Sequence, residues 1–250
     1  MIPLSIIIVA KNEADVIDAC LESIQGISDD IILCDTGSTD DTIKIAQQKG
    51  ARVIQMEWLG YGQTKNKVNT FAKYDWVFQL DADEYIDNIL RNELTKINWS
   101  DTGYAYSIRR KRFFMDRVMK FGAWGKEKKV RLFPRKSAEW TDDLVHETLI
   151  LRNLKIRRVP GYIYDQTFKN ETHFSKKMET YALLCAKKYF LKNVSGAYWK
   201  RFLSPAYTFF WSYFIRLGLL DGKKGFIHAM MIARYTLWKY TELYQLQKKR

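Results

Sequence analysis

Apolar and polar positions along the first 80 residues alternate between two periods. Leu4 to Ala10 (LSIIIVA) is a near-continuous β-branched run, the pattern of a strand buried on both faces of a parallel sheet. From Ala14 to Gln25 the apolar residues Val16, Ile17, Cys20, Leu21 and Ile24 recur at helical spacing, and Gly26 can end that helix. Ile31 to Cys34 reads as a second strand, a helix through Ile43 and Ala46 stops at Lys49-Gly50, and Ala51 to Met56 reads as a third strand. A further helix is expected over Lys65 to Ala72 and a fourth strand over Trp76 to Leu80. Strands and helices in such alternation predict βαβ units and a doubly wound, mostly parallel sheet, an α/β fold.

Polar groups follow each strand: Lys11-Asn12-Glu13, then Asp35-Thr36-Gly37, then Asp81-Ala82-Asp83-Glu84. Open α/β sheets bind ligands at that carboxyl edge. Two carboxylates in Asp-x-Asp spacing offer hard oxygens to Mg²⁺ or Mn²⁺, ions of the kind held by one or two carboxylates plus substrate phosphates. By itself the triplet reads rather as an acidic turn capping a helix that begins near Asp87, and only the polar ends of the preceding strands favour a site. Neither GxGxxG nor GxxxxGK(S/T) occurs, which argues against a dinucleotide oxidoreductase and a P-loop NTPase.

Beyond residue 99 come a strand at Ala105 to Arg109, the basic run Arg109 to Arg112, a strand at Val130 to Pro134, and then Asp143-Leu144-Val145-His146-Glu147. The last part of the chain is helical in pattern: Lys176 to Leu191, an aromatic-rich stretch from Trp199 to Leu217 broken at Leu219-Leu220-Asp221-Gly222, and Phe226 to Leu246. Phe202 to Leu220 approaches the length of a membrane span, but Pro205 and Arg216 interrupt it. An amphipathic pair flanked by Lys192, Lys200, Arg201, Lys223 and Lys224 is expected instead, in peripheral contact with an anionic membrane, with packing on the catalytic domain or an oligomer interface as the alternatives. The net charge of +13 implies an anionic partner. Nucleic acid is disfavoured, because acidic strand ends repel a polyanion. Cys20, Cys34 and Cys185 lack metal-ligand spacing and read as core thiols of a reducing compartment. No basic stretch precedes the first strand, so no signal peptide and a cytoplasmic location are expected.

SIIIVAKNEADVI, the Asp35-x-Gly37-Ser38-Thr39-Asp40-Asp41-Thr42 turn and WVFQLDADEYI, in that order, resemble glycosyltransferase family 2 with its GT-A fold. The resemblance implies a GT-A catalytic domain over residues 1–165, with a nucleotide-sugar half (1–98) and an acceptor half (99–165), and a helical extension over 166–250. It implies nucleotide-sugar contacts from Ala10, Lys11, Asn12, Glu13, Asp35, Gly37, Asp81 and Ala82, and Mg²⁺ or Mn²⁺ held by Asp83 with Asp81. Trp58 to Asn66 resembles a subgroup's loop that sets Lys65 and Asn66 beside the diphosphate. A helix starting at Lys65 puts a cation against the helix dipole, which favours a functional reason for it. Arg131-Leu132-Phe133 followed by Val145-His146-Glu147 resembles the region of the family's general base. It points to Glu147, with His146 adjacent and Asp142 or Asp143 as alternatives; inverting transfer needs only one such base. Relatives carry His where this chain has Tyr164-Asp165, so a third metal ligand is left open, and His173 reads as a polar helix residue. The Leu-Leu-Asp-Gly tail resembles bacterial lipopolysaccharide-core glucosyltransferases. That subgroup implies a UDP-sugar donor, glucose foremost, and a heptose acceptor on a lipid-linked oligosaccharide.

Overall fold

The structure is a computed structural model describing residues 1–125, 127–166 and 171–249, with side chains except those of 171–174 and 176, so His173 lies outside the described side chains. In chain order its regular elements are β1 (Leu4–Ala10), α1 (Ile17–Ile24), β2 (Asp30–Asp35), α2 (Thr42–Gln48), β3 (Arg52–Gln55), α3 (Tyr61–Asn69), β4 (Trp76–Asp81), β5 (Glu84–Ile86) and α4 (Asn88–Leu94). There follow β6 (Tyr104–Phe114), β7 (Arg117–Val118), β8 (Glu127–Pro134), β9 (Ala138–Trp140), β10 (Leu149–Leu151), β11 (Lys155–Asp165), α5 (Glu171–Leu191), α6 (Ala197–Phe210) and α7 (Gly222–Lys248).

By internal contacts the chain forms two units. The first comprises Met1–Arg110, Glu127–Asp143 and Glu147–Thr167, the second Lys111–Lys126, Leu144–His146 and Phe168–Arg250. Lys111–Lys126 and Leu144–His146 thus group with the helices that follow residue 165. The far end of β6, carrying Phe113 and Phe114, pairs with β7 inside that helical unit, where Phe114 joins Met119 and Trp124 in an apolar cluster.

The sheet of the first unit runs β3-β2-β1-β4-β8-β6-β11-β5. Strands β1 to β4 are parallel, and β8 is antiparallel to β4. The β1 run is apolar apart from Ser5, which donates to buried Asp30, because both its faces are covered. Leu4, Ile6 and Ile8 share a core with Ile17, Leu21 and Ile24 of α1, whereas Ile7 lies in a second core with Val68 of α3 and Phe133 of β8. Each such fully buried side chain contributes about 1.5–3 kcal/mol, so both helical layers are fixed by a single strand.

Two boundaries change the reading of the chemistry. Helix α3 begins at Tyr61, not Lys65. Its first turn, Tyr61-Gly62-Gln63-Thr64, has no apolar period to announce it and is held by packing instead. Lys65 thus lies beyond that turn, and the helix-dipole argument for it falls. Helix α4 is capped by Asp87, whose Oδ1 accepts the Leu90 N–H at 2.8 Å. The cap of that helix is therefore Asp87 itself, which removes the capping role as an account of Asp81-Ala82-Asp83.

In the helical unit, α6 continues through Pro205 to Phe210 and passes into a π-helical turn, Trp211–Ile215, then a 3-10 turn, Gly218–Asp221. Asp221 is buried, and its carboxylate accepts the N–H groups of Lys120 (3.1 Å) and Phe121 (2.9 Å). Gly225 of α7 lies so close to the Gly218 carbonyl that a Cβ there would sit 1.9 Å from its oxygen. Leu-Leu-Asp-Gly is thus more than a helix break: its aspartate anchors a distant loop of the same unit. All three cysteines are buried free thiols. Among the described residues no helix is long and apolar enough to cross a membrane.

Candidate functional site

Parallel pairing brings the ends of β1, β2 and β4 to one edge, with Ala10 beside Asp35 and Val9 beside Asp81. There the first two loops are laced into one platform. Asn12, in the left-handed region (φ 56°), donates its N–H to Ser38 Oγ (2.9 Å) and accepts the Thr39 N–H on its carboxamide oxygen (2.7 Å). The Glu13 N–H reaches Thr42 Oγ1 at 2.8 Å, and the Ala14 N–H reaches Asp40 at 3.1 Å. Asp35 is buried, and its carboxylate accepts the N–H groups of Gly37 (3.0 Å) and Ser38 (3.1 Å). Gly37 adopts φ +99°, a conformation that side chains disfavour. Ala10 accepts the Thr36 N–H on its carbonyl, while Lys11 is exposed. The structure therefore gathers the residues expected at the nucleotide, and gives Asp35 a loop-forming task that its spacing did not reveal.

The acidic stretch after β4 rests on a cluster that the sequence reading overlooked. Arg131 of β8, itself buried, donates from Nη2 to Asp81 Oδ2 at 2.6 Å and to Glu84 Oε1 at 2.7 Å. Arg110 of β6 meets Glu84 at 2.9 Å, Glu127 at 3.1 Å and Asp165 at 3.3 Å. Glu84 also accepts the Asp81 N–H at 3.0 Å, and the Asp83 carbonyl accepts the Gln166 N–H. Glu84 is thus a strut that fixes the turn, with Asp81 at its open side, 39 % exposed. Burial opposes ionisation of Asp81, yet the guanidinium of Arg131, then Lys65, hold its carboxyl well below the usual carboxylate range. Burial, reinforced by the Asp81 and Asp165 carboxylates, pushes Glu84 up. The same acids mark the edge electrically: burial, then Glu84, Asp83 and Asp81, push the Cys20 thiol up. A signal for this cluster did exist. Arg131 stands inside Val130–Phe133, and an arginine inside a buried strand needs a carboxylate partner.

The third component joins two residues 82 positions apart. Lys65 Nζ lies 2.6 Å from Glu147 Oε1, with 12 % and 14 % of the two side chains exposed, and 4.6 Å from the centroid of the Trp140 ring. Lys65 also acts on the charge of Asp81, so one ammonium serves both the acidic turn and the candidate base. Asn66 clasps β9 at both ends of its carboxamide, donating to the Trp140 carbonyl and accepting the Trp140 N–H, each at 2.8 Å. Trp140 Nε1 in turn donates to buried Gln79 at 2.7 Å. The geometry thus makes Asn66 the holder of Trp140, over whose ring the Lys65 ammonium lies. Asp142 accepts from Gln63 (2.7 Å) and Asp143 from Thr141 (3.2 Å). His146 (φ 56°) belongs to the helical unit, its ring stacked 6.4 Å from Tyr181 and its Nε2 3.4 Å from the Tyr235 hydroxyl.

Gly62 permits the clasp. A Cβ there would sit 1.9 Å from the Thr141 carbonyl oxygen. Gly62→Ala is therefore expected to push α3 off β9 and to lower stability by about 1–3 kcal/mol, read as a lower urea midpoint at unchanged m-value.

Asp81 and Asp83 suit a small hard cation that takes one or two carboxylates and fills its shell with water and phosphate oxygens. They do not build an all-protein cage: among the described residues no group of three or more His, Cys, Asp or Glu side chains is placed to hold a metal.

A doubly wound sheet with a laced loop platform and an acidic turn at its carboxyl edge has the GT-A arrangement. The chain belongs to glycosyltransferase family 2, whose model matches residues 5–154. An uncharacterised glycosyltransferase of Rickettsia bellii is 28 % identical, covering 97 % of this chain and 86 % of that one. The lipopolysaccharide core biosynthesis glycosyltransferase LpsC of Rhizobium meliloti is 26 % identical, covering 98 % and 93 %. Among solved structures, glucosyl-3-phosphoglycerate synthase of Mycobacterium tuberculosis with Mn²⁺ and UDP-glucose overlaps 44 % of this chain and 43 % of its own, at 25 % identity and a TM-score of 0.36.

Proposed function

We propose that this glycosyltransferase moves a hexose, glucose from UDP-glucose, with inversion onto a hydroxyl of a lipid-linked glycan, a heptose of the lipopolysaccharide inner core. The acceptor class is supported by the near full-length similarity to LpsC. The observation that carries the mechanism is the Lys65–Glu147 pair at 2.6 Å, set beside the strand end that bears Asp81. Glu147 takes the proton of the attacking acceptor hydroxyl as that oxygen bonds to the anomeric carbon, and the bond to the diphosphate oxygen breaks on the opposite face. Lys65, drawn toward the diphosphate, offsets the negative charge that grows on the leaving UDP. Asp83 and Asp81 would hold Mg²⁺ or Mn²⁺ against the diphosphate, where such an ion supplies Lewis-acid stabilisation of the leaving group. The platform formed by residues 10–14 and 35–42 would receive the nucleoside. The helical unit would keep the protein at the membrane surface where a lipid-linked acceptor lies.

The test is UDP release from a panel of UDP-sugars with Mn²⁺, with and without truncated lipid-A-core acceptor, for the parent chain and Asp83→Ala. Acceptor-dependent release from UDP-glucose is expected, falling by at least about tenfold in Asp83→Ala. Full activity of that variant, or activity indifferent to chelation, refutes the metal assignment; release with no preference for the core acceptor refutes the acceptor class.

A further inference from the structure

The helical unit carries a surface that sugar transfer does not use. Trp199, Phe202, Leu203, Tyr207 and Phe210 recur along α6 at helical spacing, one stripe on one side of the helix. All five are exposed, Trp199 and Leu203 to 67 %. The turns beyond α6 add Ile215 and Leu220, also exposed. Between them Leu217 is held in the left-handed region at φ 57°, a conformation that costs a bulky residue on the order of 1–3 kcal/mol. The other side of α6 completes the unit's own packing: Ala197 is buried with Ala186 and Leu243, and the Arg201 guanidinium lies 4.4 Å from the Tyr244 ring centroid. The apolar stripe is therefore surplus to folding of this unit.

Charge decides what covers the stripe. From residue 180 to 220 the chain has no aspartate or glutamate, and its charged residues are Lys187, Lys188, Lys192, Lys200, Arg201 and Arg216. The first acid after them, Asp221, is buried on the Lys120 and Phe121 amides. Lys223, exposed, follows at once. A second copy of the same stretch would bring cations against cations across a two-fold axis, with no acid among residues 180–220 to pair them. Trp and Tyr beside exposed Leu and Phe, rimmed by Lys and Arg, match the headgroup boundary of an anionic bilayer.

We infer that the exposed stripe of α6, with the Ile215–Leu220 turn, is an interfacial anchor that beds into the headgroup layer of an anionic lipid bilayer without spanning it. The inference extends the reading of a lipid-linked acceptor, but vesicle binding can be measured without transfer. The full chain is sedimented with vesicles of phosphatidylcholine alone and of phosphatidylcholine with phosphatidylglycerol. Binding to the second is expected, weakened at least about tenfold in Leu203→Ser/Phe210→Ser, given the apolar area withdrawn. Each of Lys192→Gln and Lys223→Gln lowers it by about fivefold, and added salt lowers it in the parent. The substituted residues are exposed, so unchanged thermal melts are expected. Absence of sedimentation with either vesicle, or equal sedimentation of the Leu203→Ser/Phe210→Ser variant, overturns the anchor. So does a dimer in light scattering that this variant abolishes while vesicle binding is absent. UDP release measured without vesicles keeps the two readings apart: its loss in the parent with vesicle binding intact defeats the transfer assignment alone, and its retention in a chain that ignores vesicles defeats the anchor alone.

Discussion

Glu147→Gln lowers the turnover of acceptor-dependent transfer by about 10²–10⁴-fold, the range expected when a positioned base is lost, and leaves the KM for the donor nearly unchanged. The amide keeps the size of the carboxylate and can still accept a hydrogen bond from Lys65 Nζ, the partner that Glu147 Oε1 meets at 2.6 Å, so the fold is retained. The proton of the acceptor hydroxyl then has nowhere to go at this position. Lys65→Met lowers turnover by a different route, through lost stabilisation of the leaving diphosphate, and on its own costs about 10²–10³-fold. Because the two side chains are in direct contact, their effects are not additive. The double variant is expected to be much less impaired than the product of the single losses. Turnover of Glu147→Gln equal to that of the parent would move the base to Asp142 or Asp143, which accept from Gln63 and Thr141.

The legibility of this protein follows from the range over which each feature is determined. Strands β1, β2 and β4 are locally coded, because a strand buried on both faces must be largely apolar, and LSIIIVA and WVFQL are apolar apart from Ser5 and Gln79, which are buried with hydrogen-bond partners. The loops after them were legible as polar groups at a sheet edge, but the division of labour inside them was not. Asp35 is spent on two backbone amides and Asn66 on the N–H and C=O of Trp140, and such partners are visible only once the chain is folded. The start of α3 was misplaced for a related reason: Gly62 is there for its close approach to Thr141, a contact with no trace in local periodicity. The family likeness implied a role for Lys65 and another for Glu147 but not their pairing, and only the fold sets the two atoms in contact. His146 and Glu147, neighbours in sequence, serve different units. The task of Glu84 has no local sign, because the arginines that pair with it, Arg131 of β8 and Arg110 of β6, lie one and two strands away from β4.

Arg131→Met should therefore be among the most damaging single substitutions in the first unit. Arg131 is almost fully buried, and its guanidinium is shared between Asp81 and Glu84. Methionine fills much of the space but leaves Glu84, which is 0 % exposed at its side chain, with a single guanidinium in place of two. Breaking one side of a buried ion cluster costs about 3–5 kcal/mol, which for a chain of this size lowers the melting temperature by about 6–20 °C. Arg131→Lys recovers only part of that loss, since an ammonium is a point charge without the planar fork that serves two carboxylates at once. Arg131→Met/Glu84→Gln recovers more, by removing the uncompensated charge, and that ordering separates an electrostatic cause from a packing one. The acid limb gives a second readout. Asp81 is held ionised in the folded chain below the range of an unfolded carboxyl, so its pairing stabilises the protein above about pH 3.9 and is lost as pH falls through the depressed folded value. Arg131→Met removes that contribution and flattens the stability profile on the acid side. Below its lowered melting temperature the folded variant should still release UDP, but with a raised KM for the donor, because Asp81 has lost the contact that aims it while Glu147 and Lys65 remain in place. A raised KM with turnover preserved assigns Arg131 to positioning the acidic turn, and an unchanged KM confines its role to holding the sheet together.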